Sequence, residues 1–361
     1  MSNIVASFQR SKFDQTKVPD LSGKVFVLTG GTNGIGLSVS RTLFKHGGRA
    51  ILLGSKQETG DAACEYIKTG DLDKAPHDYK EGFGAQRDNS ANGATKDGQV
   101  EWRLMDGTDL KEVADVAKTL AGELDRLDGF LAIAGLGVNA FELTKDGYDS
   151  HLTVNCLTHI LLLSQLLPIL EKTSRNHPDA DVRFISMASE MHRFTFGGPS
   201  EKWGGSSFAD EEEFKKDVGP NNLYSRTKLG NILTVKALVD KYLQPPSKIL
   251  AYAVHPGGVA TGQNDQIKPA YGETLGKVVE TLVRPILRAP DDGALSTLWA
   301  ATAPEARSGE FENGTYYTDP AEPGKETSEA TDPELINNFW NTSLSILEKV
   351  VGKENVGPFK G

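Results

Sequence analysis

A short apolar run that ends in a glycine-rich turn constrains this chain more than any other feature of its sequence. Residues 24–29 (KVFVLT) are rich in β-branched and aromatic side chains, which is typical of a strand buried on both faces of a parallel sheet. The turn TGGTNGIG follows at residues 29–36, and residues 35–46 then carry apolar side chains at helical spacing. A strand, a glycine turn and a helix in this order predict the first unit of a doubly wound α/β sheet.

The glycine turn is a candidate phosphate-binding loop. Missing side chains would let the backbone approach a pyrophosphate, and the helix N-terminus would supply N–H donors and positive potential. A glycine-rich turn that binds nothing is the alternative. The candidate cofactor contacts in this turn are Gly30, Thr32, Asn33, Gly34, Ile35 and Gly36.

Alternation of strands and helices continues along the chain. Further strands are predicted at residues 49–53, 100–105, 129–134, 182–187, 249–255 and 315–318, and further helices at 57–68, 110–124, 146–172, 222–242, 275–287, 292–303 and 333–350. Residues 70–98 are polar and predict a surface insertion. Residues 190–222 predict a second insertion, in which 210–216 are expected to form a solvated surface helix. We therefore expect a single Rossmann-type domain with a doubly wound parallel sheet, its core at about 21–318 and a helical tail at 320–361.

Composition excludes several classes of protein. The 361 residues carry a net charge of −10, with no basic cluster, so nucleic acid is not an expected partner. Two distant cysteines, Cys64 and Cys156, predict neither a disulfide framework nor a metal site, and favour a reducing, cytoplasmic compartment. The apolar stretch 157–170 is too short and polar to span a bilayer. Residues 275–287 could instead lie on a membrane surface, although a lid helix explains them more simply.

Tyr224 and Lys228 form the candidate proton-transfer pair. They are four residues apart in a predicted helix and therefore share one face. A phenol normally has a pKa near ~10, and we expect the neighbouring ammonium to lower that pKa toward neutral. Such a tyrosine can donate a proton to a carbonyl oxygen, or accept one in the reverse reaction. The same spacing arises by chance in many helices, so the pair depends on its neighbours in the sequence.

Three neighbours support the pair. Ser189 follows the predicted fifth strand, at the sheet edge where ligands bind, and can hold a substrate oxygen. Asn155 lies within an apolar helix, where it could bend the helix, fix a proton-carrying water near Lys228, or be a satisfied core amide. The sequence HPGGVAT at residues 255–261 follows the sixth strand and would steer the chain past a nicotinamide. The candidate contacts there are Pro256, Gly257, Val259 and Thr261.

The end of the second strand bears on which dinucleotide is bound. An Asp or Glu there would bind both ribose hydroxyls and select NAD(H), but residues 54–56 are Gly, Ser and Lys. Ser55 can donate a hydrogen bond and Lys56 can pair with a phosphate, which favours NADP(H) over NAD(H), unless Lys56 is simply a solvated lysine. Asp106, after the third strand, could accept a bond from the adenine amino group or serve only as a turn residue.

With these motifs the chain resembles the short-chain dehydrogenase/reductase superfamily, especially its retinol-dehydrogenase-type and carbonyl-reductase-type members. The resemblance rests on the glycine turn, on NNLYSRTKLGNIL around Tyr224 and on VHPG at residues 254–257. It implies a catalytic tetrad in which Tyr224 is the acid/base and Lys228 lowers its pKa and binds the nicotinamide ribose. Ser189 would polarise the carbonyl, and Asn155 would support a proton relay. Gly30, Gly34, Gly36 and Asp106 would bind the cofactor.

The sequence departs from the family pattern at four points. The usual Asn-Asn-Ala-Gly after the fourth strand is Ala-Ile-Ala-Gly here, which keeps Ala134 and Gly135 for cofactor approach but loses an asparagine that helps to fix the sheet. We expect the strand to survive with rewired hydrogen bonds. Ser55 replaces a common arginine, and Ala188 replaces a serine before Ser189. The long segment between Ser189 and Tyr224 resembles that of monomeric carbonyl reductases, so a monomer is expected ahead of a homodimer.

We therefore predict an NADP(H)-dependent enzyme that reduces a ketone or aldehyde, or oxidises a secondary alcohol. Its substrate is expected to be a fairly large apolar small molecule, as in the fungal natural-product pathways in which similar enzymes occur. Two alternatives keep the fold: a non-redox pathway enzyme such as a cyclase or dehydratase, and a cofactor-sensing binding protein. The candidate walls of the substrate pocket are Met191, Phe194, Phe196, Trp203, Tyr271 and Leu275.

Overall fold

The computed structural model describes residues 13–81, 96–195, 205–259 and 288–359. Eight strands lie in these ranges: β1 Val25–Thr29, β2 Arg49–Gly54, β3 Gln99–Leu104, β4 Gly129–Ala132, β5 Arg183–Met187, β6 Leu250–Val254, β7 Tyr316–Asp319 and β8 Glu322–Pro323. The helices are α1 Gly34–Lys45, α2 Gln57–Thr69, α3 His77–Glu81, α4 Leu110–Glu123, α5 Ser150–Asn176, α6 Pro220–Tyr242, α7 Pro290–Thr302 and α8 Pro333–Val351. The predicted helix at 275–287 lies outside the described residues.

The strands form one sheet in the order β3-β2-β1-β4-β5-β6-β7-β8. The first seven strands are parallel, and β8 pairs antiparallel with β7. The chain order reverses between β1 and β4, which opens a crevice at the carboxyl ends of these two strands. Ligands bind at this crevice in doubly wound folds. The expected Rossmann-type parallel sheet is therefore present.

Two hydrophobic layers cover the sheet, because successive side chains of a strand point to opposite faces. In β1, Val25 and Val27 pack into the layer that includes α4, α5, α6 and α8. Phe26 and Leu28 pack into the opposite layer, with α1, α2 and α7. Burial on both faces explains why β1, β2, β4 and β6 are mostly apolar runs.

The long helix α5 is part of the first layer. It contains a π-helical turn, Thr153–Leu157, and 83% of its most apolar window is buried inside the protein. Of the described helices it alone is long and apolar enough to cross a membrane, but its burial is that of a core helix. The expectation of a buried helix at 157–170 is confirmed. The expectation that it is too short and polar to span a bilayer is wrong, because the helix runs for 27 residues.

Both predicted insertions contain packed residues, and the expectation of a solvated helix at 210–216 is wrong. Tyr79 in the first is 3% exposed, and its ring lies 5.6 Å from that of Tyr66. In the second, Glu211–Lys215 is a short 3₁₀ turn, and Phe214 is fully buried beside Phe339 of α8. An aromatic side chain within each polar run anchors that run to the core.

Candidate active site

The glycine turn after β1 is shaped by close backbone contacts. Gly30 has φ +67°, and a Cβ on it would lie 2.9 Å from the Cα of Ala134 in the loop after β4. A Cβ on Gly36 would lie 2.1 Å from the carbonyl oxygen of Gly30. The side chain of Asn33 caps α1 by accepting from the N–H of Gly34 at 2.8 Å. These glycines are therefore needed for the turn itself, and the first turn of α1 presents its N–H groups at the crevice.

The end of β2 lies beside this turn and carries no acidic side chain. A Cβ on Gly54 would lie 2.7 Å from Oγ1 of Thr32, so Thr32 occupies the space that a larger residue at position 54 would need. Ser55 and Lys56 follow and are both exposed. A glycine cradle, a helix N-terminus and the exposed ammonium group of Lys56 fit the phosphates of a dinucleotide.

Asp106 is exposed beyond β3, and its local contacts explain its presence. Its Oδ1 accepts from the N–H of Thr108 at 2.9 Å and from the Thr108 hydroxyl at 2.8 Å. This is the turn role that was left open from the sequence, and the adenine contact stays a prediction.

The loop after β6 approaches the glycine turn from the other side of the crevice. A Cβ on Gly293 of α7 would lie 2.6 Å from Cγ2 of Val259 and 3.4 Å from Cγ1 of Ile35. Val259 and Ile35 therefore meet at the start of α7. Pro256 is buried, and Gly257 has φ +80°. Thr261 lies outside the described residues.

Ser189 and Tyr224 meet where β5 ends. Ser189 caps the short turn Glu190–Arg193, because its Oγ accepts from the N–H of Met191 at 3.2 Å. Its carbonyl oxygen accepts from Nδ1 of His192 at 2.7 Å, which fixes the serine backbone. The Tyr224 side chain, carried by α6, lies close enough to the Ser189 side chain for the serine hydroxyl to lower the pKa of the phenol. The structure thus brings together two hydroxyl groups predicted to bind one substrate oxygen.

Lys228 lies one turn further along α6 and is 4% exposed. Its Nζ is 5.3 Å from the centre of the Tyr224 ring and donates to the carbonyl oxygen of Met187 at 2.9 Å. Asn231 donates to the same oxygen at 2.9 Å. Burial lowers the pKa of Lys228 to about 8, because a charged ammonium loses hydration inside the protein.

The pKa of Tyr224 differs from the expectation drawn from the sequence. Burial raises this pKa to about 12, and the nearby Ser189 hydroxyl lowers it only in part. The ammonium of Lys228 lies beside the ring and does not reverse the direction of this shift. The predicted lowering of the pKa by Lys228 is thus wrong for the protein alone, and Tyr224 is a neutral proton donor at pH 7.

Asn155 is a fully satisfied core amide, one of the alternatives considered from the sequence. Its Oδ1 accepts from the N–H of Leu136 at 2.7 Å. Its Nδ2 donates to the Leu136 carbonyl at 3.1 Å and to the Thr227 hydroxyl at 2.9 Å. Asn155 therefore ties the loop after β4 to the helix that carries Tyr224. Its side chain is occupied by these bonds, while its role in a proton relay stays a prediction.

Two side-chain contacts near the site were not predicted from the sequence. Thr29 was interpreted only as the end of β1, yet its hydroxyl contacts His159 of α5 at 2.9 Å. Arg226, between Tyr224 and Lys228, forms a buried ion pair with Asp149 at 3.0 Å and donates to the carbonyl of Glu213. A histidine and an arginine inside apolar helices were the available signals, because buried polar side chains need partners.

Comparison with known proteins identifies oxidoreductases among the relatives. The Neurospora crassa protein bli-4, which carries the name of a mitochondrial oxidoreductase, is 30% identical over 352 residues, 96% of this chain and 77% of that protein. The Aspergillus calidoustus short-chain dehydrogenase/reductase drtF is 28% identical, covering 92% of this chain and 96% of its own length. No protein-family model matches the chain.

A solved structure shares the fold. The chain described as a short-chain dehydrogenase from Escherichia coli CFT073, in complex with NADPH, has a TM-score of 0.52 and 20% sequence identity. The similarity covers 85% of the present chain and 99% of that chain. At this identity the likeness extends to the fold alone.

Proposed function

This chain belongs to the short-chain dehydrogenase/reductase family of oxidoreductases, and we propose that it is an NADP(H)-dependent carbonyl reductase acting on a large apolar ketone or aldehyde. The proximity of the Ser189 and Tyr224 side chains carries the proposal. Two hydroxyl groups at the carboxyl end of β5 are suited to hold one carbonyl oxygen and to donate a proton to it.

The neutral state of Tyr224 suits the proton-donor role that carbonyl reduction requires. Reduction of a carbonyl needs a proton donor, and a phenol with a pKa of about 12 keeps its proton at physiological pH. In the bound state NADPH would supply the hydride to the carbonyl carbon. As negative charge develops on the substrate oxygen, Tyr224 transfers its proton to that oxygen and Ser189 donates a hydrogen bond to it. The product is the alcohol, and the Tyr224 oxygen takes its proton back from solvent.

Lys228 supports this step through its position. Its ammonium group lies beside the Tyr224 ring, where positive charge stabilises the phenolate that remains after proton transfer. The same group is held by the Met187 carbonyl, so it stays near the place where a nicotinamide ribose would lie. Lys228 thus lowers the energy of the charged product state, although it does not acidify the resting phenol.

The preference for NADP(H) is proposed from the end of β2. Gly54 offers no carboxylate to a ribose diol, and Thr32 fills the adjacent space. Exposed Lys56 can pair with a 2′-phosphate instead. We expect Lys56→Glu to raise the KM for NADPH about tenfold or more and to leave the KM for NADH nearly unchanged. Lys118→Glu, an exposed site on α4, is the matched control, and equal effects of both variants would refute the assignment.

An apolar substrate is proposed from the residues that follow Ser189. Phe194 is 43% exposed, and its carbonyl oxygen accepts from Nδ2 of Asn221 at 3.3 Å, three residues before Tyr224. Phe194 is therefore partly exposed, and its main chain lies beside the start of the helix that carries Tyr224, where an apolar ligand would cover the ring. In the sequence, Met191 lies between Ser189 and Phe194. The other predicted walls, Phe196, Trp203, Tyr271 and Leu275, lie outside the described residues.

The test follows the absorbance of NADPH at 340 nm with a panel of apolar ketones and aldehydes. We expect turnover by the wild type, and a fall in kcat of about a hundredfold or more in Tyr224→Phe with the Kd for NADPH unchanged. Tyr148→Phe is the control, because Tyr148 is a buried tyrosine that bonds to Glu211 instead. Unchanged turnover in Tyr224→Phe would refute the mechanism. NADPH binding without oxidation by any ketone would favour a non-redox enzyme or a cofactor sensor.

A further inference from the structure

A buried hydrogen-bond network joins α5 to the glycine turn through Thr29. The Oγ1 of Thr29 lies 3.0 Å from the N–H of Ile133 and 3.1 Å from the N–H of Ala134, and it accepts from both. The Nε2 of His159 lies 2.9 Å from the same oxygen. Thr29 is fully buried and His159 is 1% exposed, so water does not substitute for these contacts.

The chemistry of a hydroxyl group determines the direction of each bond. A threonine oxygen has two acceptor sites and one proton. Because two main-chain N–H groups occupy the acceptor sites, the hydroxyl proton of Thr29 must be donated to His159 Nε2. His159 is therefore neutral with its proton on Nδ1. Its burial agrees with this, since it lowers the pKa of His159 to about 3.

Two side chains of α5 hold the ends of one short segment. His159, through Thr29, supports the start of residues 133–136, and Asn155, one turn earlier, binds the main chain of Leu136. This segment lies directly against the glycine turn, because the Cα of Ala134 is the atom that a Cβ on Gly30 would meet at 2.9 Å. The position of residues 133–136 thus sets the width of the crevice beside the glycine turn.

We propose that His159 is a positioning residue, which acts through Thr29 to hold residues 133–136 at the depth where the dinucleotide passes the glycine turn. The proposal rests on the proposed use of NADP(H), and it assigns His159 no contact with substrate or cofactor. If His159 offered no acceptor at Nε2, the Thr29 hydroxyl could still accept from the N–H groups of Ile133 and Ala134. Its own buried proton would then have no acceptor, which is energetically costly.

The primary test measures the Kd for NADPH by fluorescence titration. His159→Phe and Thr29→Val should each weaken binding by about tenfold, and the double variant should bind no more weakly than the worse single variant. His159→Gln, whose side-chain amide can accept near the former Nε2, should restore most of the affinity. Thr173→Val is the matched control: its buried hydroxyl on the same helix accepts from the N–H of Leu127 at 2.8 Å, far from the glycine turn. This control should lose stability with the Kd unchanged.

A second measurement needs neither cofactor nor turnover. The ¹⁵N NMR signals of His159 in the free protein should show an unprotonated Nε2 and no titration between pH 5 and 8, a window above its pKa of about 3. A proton on Nε2, wild-type affinity in His159→Phe, or equal weakening in Thr173→Val would each overturn the proposal. Wild-type protein that binds NADPH but reduces no carbonyl would refute the proposed function alone, because the binding comparison would still hold.

Discussion

Replacement of Lys228 by methionine should remove activity and at the same time stabilise the fold. The lysine is 4% exposed, and its burial lowers its pKa from 10.5 to about 8. At ~1.4 kcal/mol for each pH unit, the charged ammonium costs the folded state about 3 kcal/mol at pH 7. Methionine fills a similar volume without this charge. The Met187 carbonyl keeps the bond from Asn231, so no buried acceptor is left unsatisfied.

The sign of the pH dependence follows from the lowered pKa. Below pH 8 the lysine is charged in both the folded and the unfolded state, and the folded state bears the full cost. Between pH 8 and 10.5 the folded state releases its proton first, so this cost falls as pH rises. We therefore expect Lys228→Met to raise the free energy of unfolding by about 1–3 kcal/mol at pH 7, with a smaller gain at pH 9.5.

Urea denaturation at the two pH values measures this difference, and Lys118→Met on the exposed face of α4 is the control. The control should change stability by less than about 0.5 kcal/mol at either pH. Activity of the wild type should fall as pH rises through about 8, where Lys228 loses its charge. Either of two results would refute the argument that the charge of Lys228 destabilises the fold. Lys228→Met could be less stable than the wild type at pH 7, or its gain in the free energy of unfolding could be as large at pH 9.5 as at pH 7.

Three further predictions concern other buried contacts. Arg183 is fully buried and donates to the carbonyls of Ala300 and Ala303 at the end of α7. Arg183→Met should therefore lower the free energy of unfolding by about 3 kcal/mol, and a wild-type Tm in calorimetry would contradict this. Asn155→Ala should free the main chain of Leu136 and reduce kcat by about tenfold or more, and stopped-flow rates equal to wild type would exclude that role. Because α8 packs along α6, a face of α6 is covered within the chain and is not available to a second copy. Light scattering should therefore find a monomer, and a stable dimer would show that a different surface associates.

The centre of the sheet could be predicted from the sequence because its strands are buried on both faces. The strands β1, β2, β4 and β6 are mostly apolar runs, and a glycine or polar turn ends most of them. One boundary was wrong for a physical reason. The fourth strand was expected to reach residue 134 but ends at Ala132, because the N–H groups of Ile133 and Ala134 bond to the Thr29 hydroxyl.

The site was less predictable, because its energetics depend on distant contacts. Spacing alone placed Tyr224 and Lys228 on one helix face, but the balance between a nearby charge and burial decides the direction of a pKa shift. That balance depends on the residues packed around the phenol. The pair of Arg226 with Asp149 likewise joins residues far apart in the chain, and no local pattern in a single sequence identifies such partners.

The place of α8 also matters for synthesis of the protein on the ribosome. Phe339 of this helix lies against Gly230 on α6, only 2.7 Å from where a Cβ there would be. A nascent chain that has not yet reached residue 333 would therefore expose the apolar flank of the very helix that carries Tyr224. Chaperone protection of that flank during translation would then matter most in the interval before the last helix emerges.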